Sequence, residues 1–396
     1  MVIVGVNFPA VPVIARQQTR FENRAIERKI DSLLALMTME EKLGQLNQLP
    51  GHWDSQKKRS VLTPEQRKMV EEGRVGSFLN VVGAGVTREF QSVAVERSRL
   101  SIPLIFGYDV IHGFRTVFPI PLAEASSWDS ESVERSARIA AVEATAMGVH
   151  WTFAPMVDIA RDPRWGRIAE GSGEAPYLGS VLAVARVRGF QGSSFADPTT
   201  LVACAKHFAA YGGAEGGRDY NVVDISERTL REVYLPPFKA AVDAGAGTLM
   251  SAFNEIAGIP SSANRHLLTS ILRSEWGFKG FVVSDWTAVE ELKQHGIAGT
   301  SAEAARKAIE AGVDMDMVSE LFVKELPTLA ANGTFAESVI DEAARRVLRV
   351  KFALGLFENP YRNCSLDRER LDLMKKEYVE FARSFAARSL VLLKND

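Results

Sequence analysis

Residues 278–292 read FKGFVVSDWTAVEEL, and the reading of this stretch decides the fold. A short apolar run, Phe281-Val282-Val283, stops at Ser284-Asp285-Trp286, and helix-favouring residues follow at once. Thr287 and Glu290 have the form of a capping box, in which a hydroxyl and a carboxylate satisfy the first free N–H groups of a helix. The stretch therefore reads as a buried strand, an acid and an indole at its C-terminal tip, then a helix. Seven further apolar or β-branched runs recur outward from it: QLNQL (45–49), SFLNVV (77–82), LIFGYDV (104–110), TFAPMVD (152–158), LVACAKHF (201–208), TLMSAFN (248–254) and VDMDM (313–317). Helical periodicity fills most of the gaps. In 263–276, with Asn264 as cap, Leu267, Leu268, Ile271 and Leu272 share one face and Gly277 ends the pattern. In 300–312, Thr300 and Glu303 form a second capping-box pattern, Ala304, Ala305, Ala308 and Ile309 face inward, and Gly312 closes it. Strand–helix alternation repeated eight times predicts an α/β fold, a single (β/α)8 barrel of TIM type. Its expected bounds are 31–355, with 1–30 an N-terminal extension and 356–396 a linker. The second strand is the least defined, because glycines flank it.

The bulk properties exclude several classes. A chain of 396 residues, 46% hydrophobic and with formal charge −2, has no basic stripe to draw it to nucleic acid or an anionic membrane. Neither is expected as a partner. Cys204 and Cys364 are too few for a disulfide framework or a zinc cluster, and the six histidines lack the close spacing of metal ligands. No cofactor or metal is expected. No apolar run approaches the ~18 residues needed to span a bilayer. The start, MVIVGVNFPAVPVIARQQTR, has no basic head and is interrupted by prolines, so it reads as a poor signal peptide and as an apolar extension packed on the domain. The compartment stays open between cytoplasm and an exported location.

In barrels of this kind the chemistry gathers at the C-terminal strand ends. The polar residues there are Asp109, Asp158, Lys206 with His207, Asn254, Asp285, and Asp314 or Asp316. Runs otherwise made of Val, Leu and Phe have no packing reason to end in so many charges. The loops add VIHGFRTVFPIP after Asp109, IARDPRWGRIAEGSGEAPYL after Asp158 and AAYGGAEGGRDYN after Phe208; loops this long in a compact domain are usually functional or disordered, and their aromatic content argues for function. The glycine-rich loop lacks G-x-x-x-x-G-K-[ST], no G-x-G-x-x-G follows the first strand, and no G-x-S-x-G occurs. What remains is carboxylates, a lysine, arginines, a histidine and aromatic faces, a set suited to sugars. A carboxylate at the floor would attack the anomeric carbon, and Trp286 would stack on the leaving group. Lys206 leaves a rival open, a Schiff base of aldolase type, although VSELFVKEL after the eighth strand offers no phosphate clamp. A sugar-binding barrel without catalysis is the third reading.

Five motifs in order, YDVIHG, FAPMVDIARDPRWGR, AKHFAAYG, LMSAFN and FVVSDW, closely resemble glycoside hydrolase family 3, the β-glucosidase and exo-β-glucanase group, from about residue 37 to the end. The resemblance implies that Asp285 is the nucleophile of a retaining β-glycosidase acting on terminal β-linked glucose of glucosides or short β-glucans. It implies a glycone pocket of Asp109, Arg115, Arg167, Lys206 and His207, and an aglycone side lined by Trp286. Three departures stand out. Phe253 occupies a position where many relatives carry tyrosine. Ala175 in EGSGEAPY replaces a usual aspartate. ARSLVLLKND resembles the lead-in to the family's second, α/β sandwich domain, which typically supplies the general acid/base, so that residue is expected outside this chain. Self-association, or a complementing C-terminal domain, is expected at the surface concerned. One branch of the family uses instead a histidine–aspartate dyad after its KHF motif; AAYGGAEGGRDYN contains no histidine, which disfavours an N-acetylglucosaminidase. Glu170, Glu174, Glu215 and Asp219 lie on nearby loops, and nothing in their spacing selects one as a substitute acid.

Overall fold

A computed structural model describes residues 23–395. Eight parallel strands form the sheet: β1 (Asn47–Pro50), β2 (Ser77–Leu79), β3 (Ile105–Tyr108), β4 (Trp151–Thr152), β5 (Val202–Phe208), β6 (Thr248–Ser251), β7 (Phe281–Val283) and β8 (Asp316–Met317). The order is β7-β6-β5-β4-β3-β2-β1-β8. A parallel bridge between Val283 and Met315 closes the ring, reinforced by Ser284 N–H donating to Met315 O at 2.9 Å and Met315 N–H to Val282 O at 3.0 Å. The molecule is thus the (β/α)8 barrel that the alternation predicted, each expected run supplying one strand. All seven residues of β5 are buried, as expected where helices cover a parallel sheet outside and side chains fill it inside. Trp151 sits in that interior against Phe153 and Phe281, with ring centroids 4.7 and 5.0 Å away. Its indole N–H donates to Thr248 Oγ1 at 2.8 Å, tying β4 to β6.

The helices form for the reasons their sequences gave. Thr300 Oγ1 accepts from Glu303 N–H at 3.1 Å and starts the helix Ser301–Ala311, which buries Ala304, Ala305, Ala308 and Ile309. The reciprocal bond differs from a strict box: the Glu303 carboxylate accepts from Gly299 N–H instead. Gly312 ends this helix at φ +122°, a conformation open to glycine at little cost. In the segment 263–276 the side chain of Asn264 accepts from Leu267 N–H at 3.1 Å. The helix His266–Glu275 is wound as a wide π-helix yet still buries Leu267, Leu268, Ile271 and Leu272. The glycine before the second strand marks a close backbone approach: a Cβ on Gly76 would lie 2.5 Å from Gln45 O.

One local expectation fails at the opening stretch. No α-helix begins at Thr287. That residue adopts φ +55°, its N–H is drawn across the ring to Met317 O at 3.1 Å, and its hydroxyl donates to Trp286 O and Glu291 Oε1. Only a 3₁₀ turn, Glu290–Lys293, follows. The tertiary bond to β8 removes the N–H that a local cap would have used.

Of the expected N-terminal extension, residues 1–22 lie outside the described residues, and the helix Arg24–Leu36 packs against Glu337–Ala353. At the other end, the helix Lys376–Arg388 docks on the barrel by burying Phe381, Ala382 and Phe385 beside Phe118. Leu390, Val391, Leu392 and Leu393 beyond it are exposed.

Candidate active site

The C-terminal end of β5 is the centre of a charged cluster. Lys206 is buried, and its Nζ donates to Asp109 Oδ1, at the tip of β3, at 2.7 Å. The loop after β4 is pinned to β5 by a bridge between Met156 and Lys206 and by Val157 N–H donating to Lys206 O at 2.8 Å. That attachment brings Asp158 under His207: Asp158 Oδ2 accepts the His207 backbone N–H at 2.8 Å and lies 2.8 Å from Nδ1. The other ring nitrogen, Nε2, faces Asp285 Oδ2 at 3.5 Å. Asp285 Oδ1 accepts the Trp286 N–H at 2.7 Å, whereas Oδ2 is buried without a hydrogen-bond partner.

Burial dominates the electrostatics. It raises Asp285 from 3.8 to about 6, opposed by the cations of Lys206 and Arg167. It raises Asp158 to about 7, opposed by the His207 backbone N–H. It holds His207 well below its ordinary value, helped by the positive charges of Arg167 and Lys206, so the imidazole is neutral. Arg167 is fastened to Glu170 by two hydrogen bonds of 2.7 and 3.0 Å and sits over the Tyr211 ring at 5.6 Å. Aromatic side chains wall the cluster. Tyr211 is edge-on to His207 at 5.2 Å and to Trp165 at 5.3 Å, and Phe253 lies against Tyr220 at 4.5 Å. Trp286, beside the carboxylate, is 45% exposed and free to receive a ring.

A model of the glycosyl hydrolase family 3 N terminal domain matches residues 38–350. The chain belongs to glycosyl hydrolase family 3. A periplasmic beta-glucosidase of Salmonella typhimurium is 43% identical over 369 residues, 92% of this chain and 48% of the relative. A lysosomal beta glucosidase of Dictyostelium discoideum is 35% identical, over 84% of this chain and 44% of its own length. The crystal structure of a Listeria innocua beta-glucosidase in complex with glucose superposes with a TM-score of 0.87 at 42% identity, covering 93% of this chain and 52% of that one. The chain spans about half the length of these relatives.

Within this family 3 barrel the residues singled out in the sequence separate into two groups. Asp109, Lys206, His207, Arg167 and Asp285 are joined by the contacts and fields described above, with Trp286 at their edge. Arg115 is directed elsewhere: it is exposed, its Nε donates to Met147 Sδ at 3.4 Å and its guanidinium lies 5.4 Å from the Phe114 ring centre. Glu143, on the helix Ser130–Ala146, accepts the backbone N–H groups of both Arg115 and Thr116 and fixes this turn.

The other strand-end polar residues hold the scaffold. Asn254 donates to Ala209 O at 3.3 Å. Asp314 accepts from Val282 N–H and pairs with Arg273 and Arg346. Asp316 accepts from Leu321 N–H at 2.7 Å, at the start of the helix Leu321–Ala331. Ala175 stands at the N-cap of the helix Pro176–Gln191, which has no side-chain cap. Two parts of the site were missed. The aromatic wall of Trp165, Tyr211 and Tyr220 lay within loops already noted for their aromatic content, and the partnership of Asp158 with His207 had no signal beyond a shared position at strand ends.

Proposed function

We propose that this chain forms the glycone pocket and carries the nucleophile of a retaining β-glycosidase that removes terminal β-linked glucose from glucosides or short β-glucans. One observation carries the reading: a buried carboxylate at the mouth of a closed barrel, Asp285, has an oxygen with no hydrogen-bond partner among the described residues, beside a neutral imidazole and an exposed indole. In the first step that oxygen bonds to C1 of the sugar as the C1–O bond to the leaving group breaks; water then displaces Asp285 and restores the carboxylate. Arg167 and Lys206 bind the ring hydroxyls as charged donors, which give the stronger hydrogen bonds, and Asp109 and His207 fix orientation. Trp286 stacks on the aglycone. The β-glucosidase names of the relatives agree in substrate class.

The leaving group needs a proton. Among the nearby carboxyl groups considered, Glu170 is held by Arg167, Asp219 accepts the Trp165 indole N–H at 2.8 Å, and Glu174 and Glu215 are exposed on loops. We assign the acid/base to a second domain or partner chain. General acid help is worth roughly 10²–10⁴ in rate, so residues 1–396 alone turn over natural disaccharides poorly but accept aryl glucosides whose leaving groups need no proton. Lys206, engaged with Asp109, is not a free amine for a Schiff base.

The test is incubation with 2,4-dinitrophenyl 2-deoxy-2-fluoro-β-glucoside followed by peptide mass spectrometry. The expected result is a single adduct on Asp285. Sugar binding with no adduct would leave a binding barrel, and borohydride trapping of a carbonyl substrate on Lys206 would replace this reading by the Schiff-base one.

A further inference from the structure

Asp158 is buried beneath the charged cluster. Its carboxylate meets His207 twice, at the backbone N–H and at Nδ1, both at 2.8 Å. The far side of the same ring lies 3.5 Å from the free oxygen of Asp285. Asp158, His207 and Asp285 thus form one line of three buried titratable side chains, of which only the last does the proposed chemistry. We propose that Asp158 and His207 act as a relay that keeps a proton on Nε2, directed at Asp285 Oδ2, which makes Asp158 a positioning residue for the nucleophile. The inference rests on the reading of Asp285 given above.

A proton on Nε2 fixes the rest of the count. His207 is neutral and carries one ring proton, so Nε2–H requires Nδ1 to be an acceptor. Among the described residues its partner is Asp158, which must then carry a proton and donate it. Burial favours a proton here, raising the Asp158 carboxyl to about 7. Around Asp285 the charged groups are Lys206, Arg167 and Asp109; around Asp158 they are Arg167 and Glu170, with the Tyr211 backbone N–H; around His207, Arg167 and Lys206. None of these donates a hydrogen bond to Asp285 Oδ2. In the second step Asp285 departs from C1 as a carboxylate, and Nε2–H stabilises the charge it regains.

Asp158→Asn separates the relay from a packing role. To satisfy the His207 N–H, the amide oxygen takes the place of Oδ2, and that oxygen can only accept. Nδ1 must then hold the ring proton, and Nε2 turns a lone pair to Asp285. Two measurements on the full chain test this. Long-range ¹⁵N–¹H spectra of ¹⁵N-histidine protein, with His207 assigned from a His207→Gln sample, report the tautomer without any sugar. The expected result at pH 6 is Nε2–H in the parent and Nδ1–H in Asp158→Asn; the same tautomer in both overturns the relay.

The second is the pH dependence of Asp285 labelling by the fluoroglucoside. A full hydrogen bond to a charged acceptor is worth roughly tenfold in an equilibrium, and the Nε2 contact is longer than one at 3.5 Å, so the acid limb moves to higher pH by up to about one unit in Asp158→Asn. A limb that stays in place overturns the proposal, provided the parent is labelled. A parent that is not labelled sinks the glycosidase reading instead, and the tautomers then still decide the relay. Should Asp158→Asn not fold, Asp158→Glu is read in the same two ways: a protonatable side chain keeps Nε2–H, and Nδ1–H in that variant overturns the relay.

Discussion

Replacing Asp285, the proposed nucleophile, should stabilise this protein, and the amount depends on pH in a way the structure specifies. Asp285 ionises near 6 in the fold and near 3.8 outside it. The sign follows directly: a carboxyl with a raised folded pKa favours the folded state below about 3.8, and that advantage disappears as pH rises through about 6. At pH 8 the ionised group therefore costs the folded state on the order of 3 kcal/mol relative to low pH, at 1.36 kcal/mol per tenfold change. Asp285→Asn keeps the shape, removes the charge and should recover on the order of 1–3 kcal/mol at pH 8, the attraction to Lys206 and Arg167 being already included in the shift. For a domain of this size ~3 kcal/mol raises the midpoint by roughly 3–4 °C. Urea unfolding of both proteins at pH 4 and pH 8 measures it. The gap should be small at pH 4 and open between pH 4 and 6, while the fluoroglucoside adduct vanishes. A variant that is no more stable at pH 8, or whose advantage is the same at both pH values, would refute the claim that burial of an anion dominates this site. The expected pattern is a trade of stability for activity.

Ala175→Asp supplies a side-chain cap to a helix that has none, and should add about 1 kcal/mol in urea unfolding. Gly76→Ala places a methyl carbon 2.5 Å from the backbone oxygen of Gln45 and should destabilise by about 1–3 kcal/mol, because β1 and β2 must part to admit it. Trp286→Ala should weaken binding of aryl glucosides roughly tenfold, the loss of one aromatic stack, while leaving glucose affinity, measured by calorimetry, within about twofold of the parent.

The carboxylate at the tip of β7 shows how far local pattern reaches. An apolar run ended by Ser-Asp-Trp is legible because strand burial and its termination involve residues next to one another. The same holds for Thr300 capping Glu303 and for the buried face of 263–276, where every partner lies within four positions. Thr287 obeyed the same local rule on paper and broke it in the fold, since a strand at the other side of the seam claimed its N–H. Arg115 followed the same course: its motif resembled a sugar ligand, yet its backbone N–H goes to Glu143 on the helix Ser130–Ala146 and its side chain is exposed.

The sequence alone determined that eight strands alternate with helices, that charged residues cluster at their C-terminal ends, and that the chain belongs with a particular group of hydrolases. The tertiary structure decided which of those charges meet. Asp158 lies 49 residues from His207 and Asp109 97 from Lys206, and no periodicity within a strand or helix encodes such separations. Ring closure and the register of parallel strands bring them within hydrogen-bond reach, so the line from Asp158 to Asp285 exists only once the barrel has formed.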